Sequence, residues 1–518
     1  MKKLVALRRA SQILFLLLFV GILWSTTYPM SGAIPPEIIF KLDPLVMVFL
    51  SLCGRVVLPG AVLSLIMIAA TLVFGRFFCG WVCPLGTFND GLSSLRRSKR
   101  VPADASNRKI RSVKYGLLAG IAACAIAGFQ AAWFFDPLVI FARFVSLNLI
   151  PTVTMGLDRL FVTAIQKFEL YGGLYDFYRL LKGSILGIRA DYFSNAWTIL
   201  IFFLSVCLPV LLVSRIWCRM LCPLGALYAW ASKKSWLERK TGECTGCGAC
   251  RAECRMGAIR DDGKTVPGEC ILCMDCVYSC PASITTFGWK KPARVPRPGA
   301  AGNQRGMTRS DFLLLLAASA SFLGFRSRLG LAQTPPAKAG GTAAVVRPPG
   351  ALPEKDFLDR CIRCGNCMKV CVTNGLQPVF MESGWEGIWT PQLVPEIGYC
   401  EYQCTLCGGV CPTGAIPKLS RAVKQKQVLG IAVIARNLCL PWAEGKSCIV
   451  CEEHCPTPDK AIKNEKILLG TSLGRKQYLL RPVVVKELCI GCGICQKVCP
   501  LRPSRAIRVD PAGKLQPQ

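Results

Sequence analysis

Histidine is nearly missing from this chain: 518 residues contain one, His454. A single imidazole cannot supply both axial ligands of a bis-histidine haem, so the chain is read as haem-free. Mixed cysteine–histidine zinc sites lose their histidines for the same reason. Acidic residues are scarce too, 31 Asp and Glu against 63 Lys and Arg, giving a net charge of +32. That excess does not imply a nucleic-acid partner, because the basic residues gather in short blocks beside apolar runs, such as "RRSKR" at 96–100. No G-x-G-x-x-G follows a strand-like segment and no P-loop occurs, so neither a flavin nor a nicotinamide site is supported.

Cysteine is abundant, with 31 residues. Length argues against a disulfide scaffold, since such scaffolds are short secreted domains. Spacing supplies the alternative. "CTGCGACRAEC" sets Cys244, Cys247, Cys250 and Cys254 in C-x2-C-x2-C-x3-C order, and "CILCMDCVYSCP" repeats it with Cys270, Cys273, Cys276 and Cys280. Two such runs in succession spell a bacterial-type ferredoxin with two [4Fe–4S] clusters, in which the fourth cysteine of each run reaches the other cluster. The expected sets are Cys244, Cys247 and Cys250 with Cys280, and Cys270, Cys273 and Cys276 with Cys254.

Four more quartets follow residue 350. Cys361, Cys364, Cys367 and Cys371 form the first, and Cys400, Cys404, Cys407 and Cys411 the second, with one extra residue in its first gap. Cys439, Cys448, Cys451 and Cys455 form the third, with a longer first gap, and Cys489, Cys492, Cys495 and Cys499 the fourth. Six quartets take 24 of the 31 cysteines, which predicts six [4Fe–4S] clusters with those 24 as iron ligands. Among the last four quartets the outer two are regular and the inner two irregular. This favours nested pairing, first with fourth and second with third, while adjacent pairing stays open. His454 reads as a spacer beside a complete cysteine set.

Apolar runs recur over the first 215 positions, and four membrane helices are expected, near 13–24, 57–78, 114–135 and 196–216. Basic blocks at 2–9, 96–111 and 233–240 put both ends and the central loop in the cytoplasm. The region is duplicated. "KLDPLVMVF" (41–49) and "FFDPLVIFA" (134–142) each precede an apolar helix, which ends on "CGWVCPLG" in one half and "CRMLCPLG" in the other. Such a duplication places a shared site between its halves, where Cys79, Cys83, Cys218 and Cys222 would converge. Those four suit an iron–sulfur centre, redox-active dithiol pairs, or a purely structural helix exit. Asp43 and Asp136, at the outer ends of their helices, suit proton acceptance or helix capping. Cys53, Cys124 and Cys207 stand alone in apolar surroundings and read as small buried hydrophobes.

A Pro/Gly/Arg-rich linker (289–350) carries the apolar run Phe312–Phe325, too short for a membrane span but of the length of a signal core. "TRSDFLLLL" resembles a twin-arginine export signal with serine at position 310 in place of the second arginine. Four parts are expected: a membrane domain at 1–235, a ferredoxin at 236–288, the linker at 289–350 and a four-cluster domain at 351–518. The expected fold class is an α-helical membrane domain with four main helices and an internal duplication, an α+β bacterial-type 2[4Fe–4S] ferredoxin, and a second four-cluster ferredoxin-like domain.

On the paired "CGWVCP" and "CRMLCP" motifs and the ferredoxin behind them, the first 290 residues resemble the NapH-type membrane component of quinol dehydrogenases. Residues 305–518 resemble the NapG/MauM-type four-cluster ferredoxins. The resemblance implies a fusion of the two in the bacterial inner membrane. It implies electron flow from membrane quinol to a periplasmic reductase or cytochrome c, with the four-cluster domain in the periplasm. The alternative resemblance is to membrane copper reductases that assist oxidase assembly, which also join paired Cys-x3-Cys-Pro motifs to a ferredoxin.

Overall fold

The computed structural model describes residues 2–28, 30, 34–95, 108–169, 171–183, 192–242, 244, 246–266, 268–290, 345–472 and 475–511. The run at 312–325 and its export motif lie outside the described residues. The chain divides into two compact units. Met1–Leu23, Pro36–Val145 and Leu200–Pro336 make the first, and Trp24–Pro35, Ser146–Ile199 and Ala337–Gln518 make the second. The linear four-part division grouped residues differently: 24–35 and 146–199 fold with the C-terminal ferredoxin, and 236–288 folds with the helices before it.

The first unit shows the duplication element by element. Asp43 stands before Pro44, and its carboxylate accepts the Leu45 amide at 2.9 Å, capping helix Pro44–Gly54. Asp136 repeats the device before Pro137, accepting the Leu138 and Val139 amides at 2.8 and 2.9 Å and capping Pro137–Phe144. Helix Pro59–Phe74 ends at Gly75, whose φ of 75° breaks the helical path. Its counterpart is Ala196–Cys207, continued by a 3-10 turn at Leu208–Leu211. Each is followed by one short turn, Phe77–Trp81 or Ile216–Met220, and then by Pro84–Ser94 or Pro223–Ser232.

Two helices among the described residues are long and apolar enough to cross a membrane, Lys3–Trp24 and Pro137–Phe168, where four spans were expected. Pro59–Phe74 and Ala196–Leu211 fall short in length. The span expected at 114–135 is instead helix Arg108–Ile126, which opens with four cations within seven residues, followed by a break before the short helix Ala132–Phe135. Pro137–Phe168 was hidden in the sequence by Pro151. That proline occupies the first turn of Ile150–Phe168, directly after a π turn at Val145–Leu149, where its missing amide costs little.

The ferredoxin of the first unit is closed by an antiparallel pair, Leu237–Thr241 with Thr285–Trp289, in register Leu237↔Trp289 to Thr241↔Thr285. Both cysteine runs lie between these strands. In the second unit the same bracket recurs: Ile431–Ile434 precedes Cys439 and pairs with Ile507–Asp510, which follows Cys499. A long hairpin, Ile462–Ser472 with Arg475–Val484, separates the third and fourth quartets. The hairpin Leu376–Pro378 with Pro391–Leu393 lies between the first and second quartets, and both runs are spanned by the Leu352 amide, which bonds the Ala415 carbonyl at 3.2 Å.

Within the second unit this ferredoxin is tied to 24–35 and 146–199. Lys369 donates to the carbonyls of Trp24 and Thr26 at 3.1 and 3.2 Å. Asn374 and Gln377 donate to Tyr192 at 2.7 and 3.0 Å, and the Trp389 indole donates to Thr198 at 2.9 Å.

Candidate functional site

The four regular quartets share one backbone signature. The residues two and four places after the first cysteine are left-handed in each: Gly246 and Gly248, Leu272 and Met274, Arg363 and Gly365, Gly491 and Gly493. Two such reversals within five residues wrap the chain around a centre and turn three thiols inward. Leu272, Met274 and Arg363 hold this shape against the steric preference of L-residues. The irregular quartets reach the same end without it, with Thr405 at φ −129° and Ile449 at φ −119°.

Four cavities each collect four cysteines. Cys270, Cys273, Cys276 and Cys254 line one of about 370 Å3. Cys361, Cys364, Cys367 and Cys411 line another of about 370 Å3, and Cys400, Cys404, Cys407 and Cys371 one of about 430 Å3. Cys439, Cys448, Cys451 and Cys499 line the fourth, of about 410 Å3. The shared lining of four thiols points to one kind of occupant. Cys455 lies beside Cys492, in the core shared with Cys489 and Cys495. In the remaining quartet Cys244 and Cys247 are exposed, and Arg239 stands 3.5 Å from Cys250.

The fourth cysteines are thus exchanged between neighbours, first with second and third with fourth. The nested pairing expected from the regularity of the runs is corrected. Two strand brackets, Leu237–Thr241 with Thr285–Trp289 and Ile431–Ile434 with Ile507–Asp510, each enclose two consecutive quartets, so topology and not spacing decides the partner.

The residues present fit an iron–sulfur cluster. Among the described residues no three Cys, His, Asp or Glu side chains converge on a point that would hold a single ion. A cluster instead spaces its thiolates around a volume. Backbone amides already point at the sulfurs, Ala258 to Cys254 at 3.1 Å, Ile416 to Cys411 at 3.5 Å and Ala432 to Cys489 at 3.4 Å. Burial pushes the Cys270 thiol up to about 11 and Cys276 up to about 12, so these cavities disfavour a lone thiolate and suit one neutralised by metal. His454 is exposed, with Nδ1 on the Val450 carbonyl at 2.9 Å, and takes no part.

The duplicated region contributes two further groupings, both within the first unit. Asp43 and Asp136 are buried and face one another, close enough for one carboxyl to hydrogen-bond the other when a proton is shared between them. The Tyr228 hydroxyl, also buried and unpartnered, lies close to both carboxyls and to Cys79 and Cys83. Its ring packs on Phe78 at 5.5 Å. Sequence reasoning did not single out Tyr228, which has no motif around it.

At the other grouping, Cys79 and Cys218 pack into the same apolar cluster as Ile271, Cys273 and Cys254 of the ferredoxin. The ferredoxin is seated tightly there. A Cβ on Gly80 would collide with the Ile271 carbonyl, one on Gly268 with the Ala229 carbonyl, and the Trp81 indole donates to Leu272 at 3.0 Å.

Two buried ionic networks surround this seat. In one, Arg215 donates to Asp90 at 2.6 Å, Arg255 reaches Asp90 at 3.1 Å and Asp275 at 2.5 Å, and Arg8 reaches Asp275 at 3.3 Å. In the other, Glu269 accepts from Lys114 at 2.6 Å and Arg76 at 3.2 Å, with Arg111 and Arg219 buried nearby. Burial works to raise Glu269, but Arg76 and then Lys114 override it and hold its carboxyl below the ordinary value. Asp90 is likewise held low by Arg215 and Arg255 against its own burial. Arg8 belongs to a block read as a topology signal, yet it is buried and paired. The sequence did carry a hint of this, since Arg76 and Arg215 each stand three residues before the first cysteine of their motif.

Comparison with known proteins follows the same division. A family model described as a 4Fe-4S binding domain matches 45–102 and 195–242, one described as NosR matches 242–283, and a further 4Fe-4S binding domain matches 482–502. The methylamine utilization ferredoxin-type protein MauM of Methylorubrum extorquens is 39% identical over 173 residues, covering 33% of this chain and 74% of that protein. The ferredoxin-type protein NapG of Escherichia coli is 36% identical over 185 residues, covering 35% of this chain and 76% of that protein. The regulatory protein NosR of Pseudomonas aeruginosa is 27% identical over 216 residues, covering 40% of this chain and 24% of that protein. No solved structure matches the chain. Through about a third of its length, with its cysteine quartets exchanged in neighbouring pairs, the chain belongs to the NapG/MauM family of ferredoxin-type iron–sulfur electron-transfer proteins.

Proposed function

We propose that this protein is a membrane quinol dehydrogenase module, joining a NapH-type membrane part to a NapG/MauM-type ferredoxin, that passes electrons to a periplasmic reductase or cytochrome. The observation that carries the electron-transfer reading is the exchange of fourth cysteines. Each of the four cavities is completed by a thiol from the neighbouring quartet, so the two sites of a pair are held together by one short stretch of chain. The cysteines of all six quartets would hold [4Fe–4S] clusters, which supply one-electron carriers whose potential is set by burial and hydrogen bonds.

Quinol oxidation releases two electrons and two protons. Asp43 and Asp136 offer a buried, facing carboxyl pair in an otherwise apolar interior, where ionisable groups tend to serve function, and they would take protons there. Tyr228 stands between that pair and the Cys79–Cys83 turn and would orient a quinol hydroxyl.

The basic start of the first helix belongs in the cytoplasm by the positive-inside rule, and the likeness of the four-cluster domain to NapG/MauM-type ferredoxins supports a periplasmic place for that domain. The test is anaerobic: a reduced quinol analogue is added to the detergent-purified chain and cluster reduction is followed by EPR. Reduction by quinol supports the reading, and clusters that respond to dithionite but never to quinol contradict it.

A further inference from the structure

We propose that the four cluster sites of 351–518 stand in single file, from the Cys361 site to the Cys439 site, and that an acidic one-electron redox protein docks at the Cys439 end, over Trp442 between Arg436 and Arg481. The inference rests on the reading that the quartets carry clusters and pass electrons on. It adds the order of the sites and the face at which electrons leave.

The order comes from three links. The Cys361 and Cys400 sites exchange Cys371 and Cys411, and the Cys489 and Cys439 sites exchange Cys455 and Cys499, so each pair is joined by its own ligands. The third link joins the pairs. The Cys400 amide donates to the Cys492 carbonyl at 2.8 Å, so a ligand residue of one site is bonded directly to a ligand residue of the next. Beside it the Lys497 ammonium donates to the carbonyls of Glu396 and Ile397 at 3.1 and 2.8 Å, and a Cβ on Gly493 would stand 2.9 Å from Pro395. The Cys400 and Cys489 sites are therefore the middle of the file, and the Cys361 and Cys439 sites are its ends.

The two ends differ in cover. The Cys361 half is overlaid by its own unit: a Cβ on Gly365 would stand 3.0 Å from the Leu147 side chain, Lys369 donates to Trp24 and Thr26, and Asn374 and Gln377 donate to Tyr192. At the Cys439 end the half-buried Trp442 ring lies between two guanidiniums, with Arg436 at 4.3 Å and Arg481 at 4.9 Å from its centroid. Its indole donates to the Pro482 carbonyl at 3.1 Å, and Arg481 donates to the Pro441 carbonyl at 3.4 Å. Both prolines line the Cys439 cavity, so the ring is braced against the wall of that site. Leu438 and Ile449, both exposed, adjoin Cys439 and Cys448 in the chain. Apolar and aromatic side chains with arginine beside them make the composition of a docking patch.

Charge selects the partner. Residues 431–518 contain 14 Lys and Arg against 7 Asp and Glu, whereas 351–430 contain 8 against 7. Two clusters of about −2 in each half leave about +3 at the Cys439 half and about −3 at the Cys361 half. Among the described residues Arg436 and Arg481 meet no carboxylate. An acidic partner is drawn to this end and repelled from the other. Each transfer there moves one electron: the cluster at the Cys439 site is oxidised, the partner's one-electron centre is reduced, and the site is refilled from the Cys489 site.

The experiment reduces the full, cluster-loaded chain with dithionite, removes the excess, and mixes it in a stopped flow with an oxidised acidic c-type cytochrome as the probe. We expect haem reduction to slow about tenfold from low to high salt. Arg436→Glu/Arg481→Glu should slow it about tenfold at low salt, with iron content unchanged and rates that converge with wild type at high salt. Rates indifferent to salt and to the charge reversal, or faster reduction of a basic c-type cytochrome, overturn the docking face. The order is read from the electrons delivered in the fast phase. Cys489→Ala/Cys492→Ala should lose about four irons and leave the Cys439 site alone to deliver, about one electron. Because that variant could disturb its paired site, Cys400→Ala/Cys404→Ala cuts the file one step earlier and should leave about two. A fast phase that falls by only one electron in both variants overturns the file. Reduced clusters that pass electrons to neither cytochrome at any salt would overturn the underlying electron-transfer reading itself.

Discussion

Arg76 and Arg215 occupy exchanged positions: each begins in one copy of the duplicated motif and reaches across to the glycine that closes the other. Arg76 continues to Glu269 at 3.2 Å, and Arg215 to Asp90 at 2.6 Å. The same two side chains therefore join the halves of the duplication to each other and brace the seat of the ferredoxin.

Removing Glu269 leaves Arg76 and Lys114 buried without their counter-charge. Glu269→Gln should cost about 3–5 kcal/mol, read as an earlier thermal loss of cluster absorbance. The sign with pH follows from the lowered carboxyl. Its contribution is full above the ordinary value of 4.5 and is lost as pH falls toward the depressed folded value. The gap between wild type and variant should stay constant from neutral pH down to that range and close only below it. A gap that widened on acidification would contradict the assignment.

Gly80 faces the Ile271 carbonyl so closely that a methyl group cannot be admitted. Gly80→Ala should loosen the ferredoxin by about 1–3 kcal/mol and expose the 236–288 region to protease. The corresponding position in the second motif is Arg219, so Arg219→Ala should produce no such steric effect.

The exchanged cysteines make a test by double substitution. Cys371→Ser and Cys404→Ser fall on one cavity, so each alone and both together should cost the same, about four irons. Under nested pairing the two losses would add to about eight.

Spacing made all six quartets legible, because three thiols on one short loop require the C-x2-C-x2-C rhythm. It did not reveal which quartets pair. That depends on strands such as Ile431–Ile434 and Ile507–Asp510, which meet across more than seventy residues of chain. The hairpin Ile462–Ser472/Arg475–Val484 was equally hidden, being an insertion with no bearing on the cysteine pattern. The Asp-Pro caps were readable as caps, since aspartate before proline satisfies the first amides of a helix. Their burial against each other was not, because it arises only when the two halves pack. Helix lengths were misread where cations begin a helix, at Arg108, or where proline sits in its first turn, at Pro151.

Asparagine caps a helix about as well as aspartate but cannot accept a proton to become a neutral acid. Asp43→Asn and Asp136→Asn should therefore leave thermal stability nearly unchanged while slowing quinol-driven reduction by about 10²–10⁴-fold. Asp43→Ala, which also removes the cap to Leu45, should lose about 1 kcal/mol in addition. Equal rates for Asn variants and wild type would restrict both residues to capping.

The central claim is that electrons enter from quinol and reach the ferredoxins of this one chain. The most direct measurement mixes the anaerobic, cluster-loaded protein with a reduced quinol analogue and follows EPR on a millisecond-to-second scale. The account predicts reduced-cluster signals that appear with quinol and are lost in Asp43→Asn. Clusters that stay oxidised with quinol, yet are reduced by a low-potential chemical donor, would contradict it.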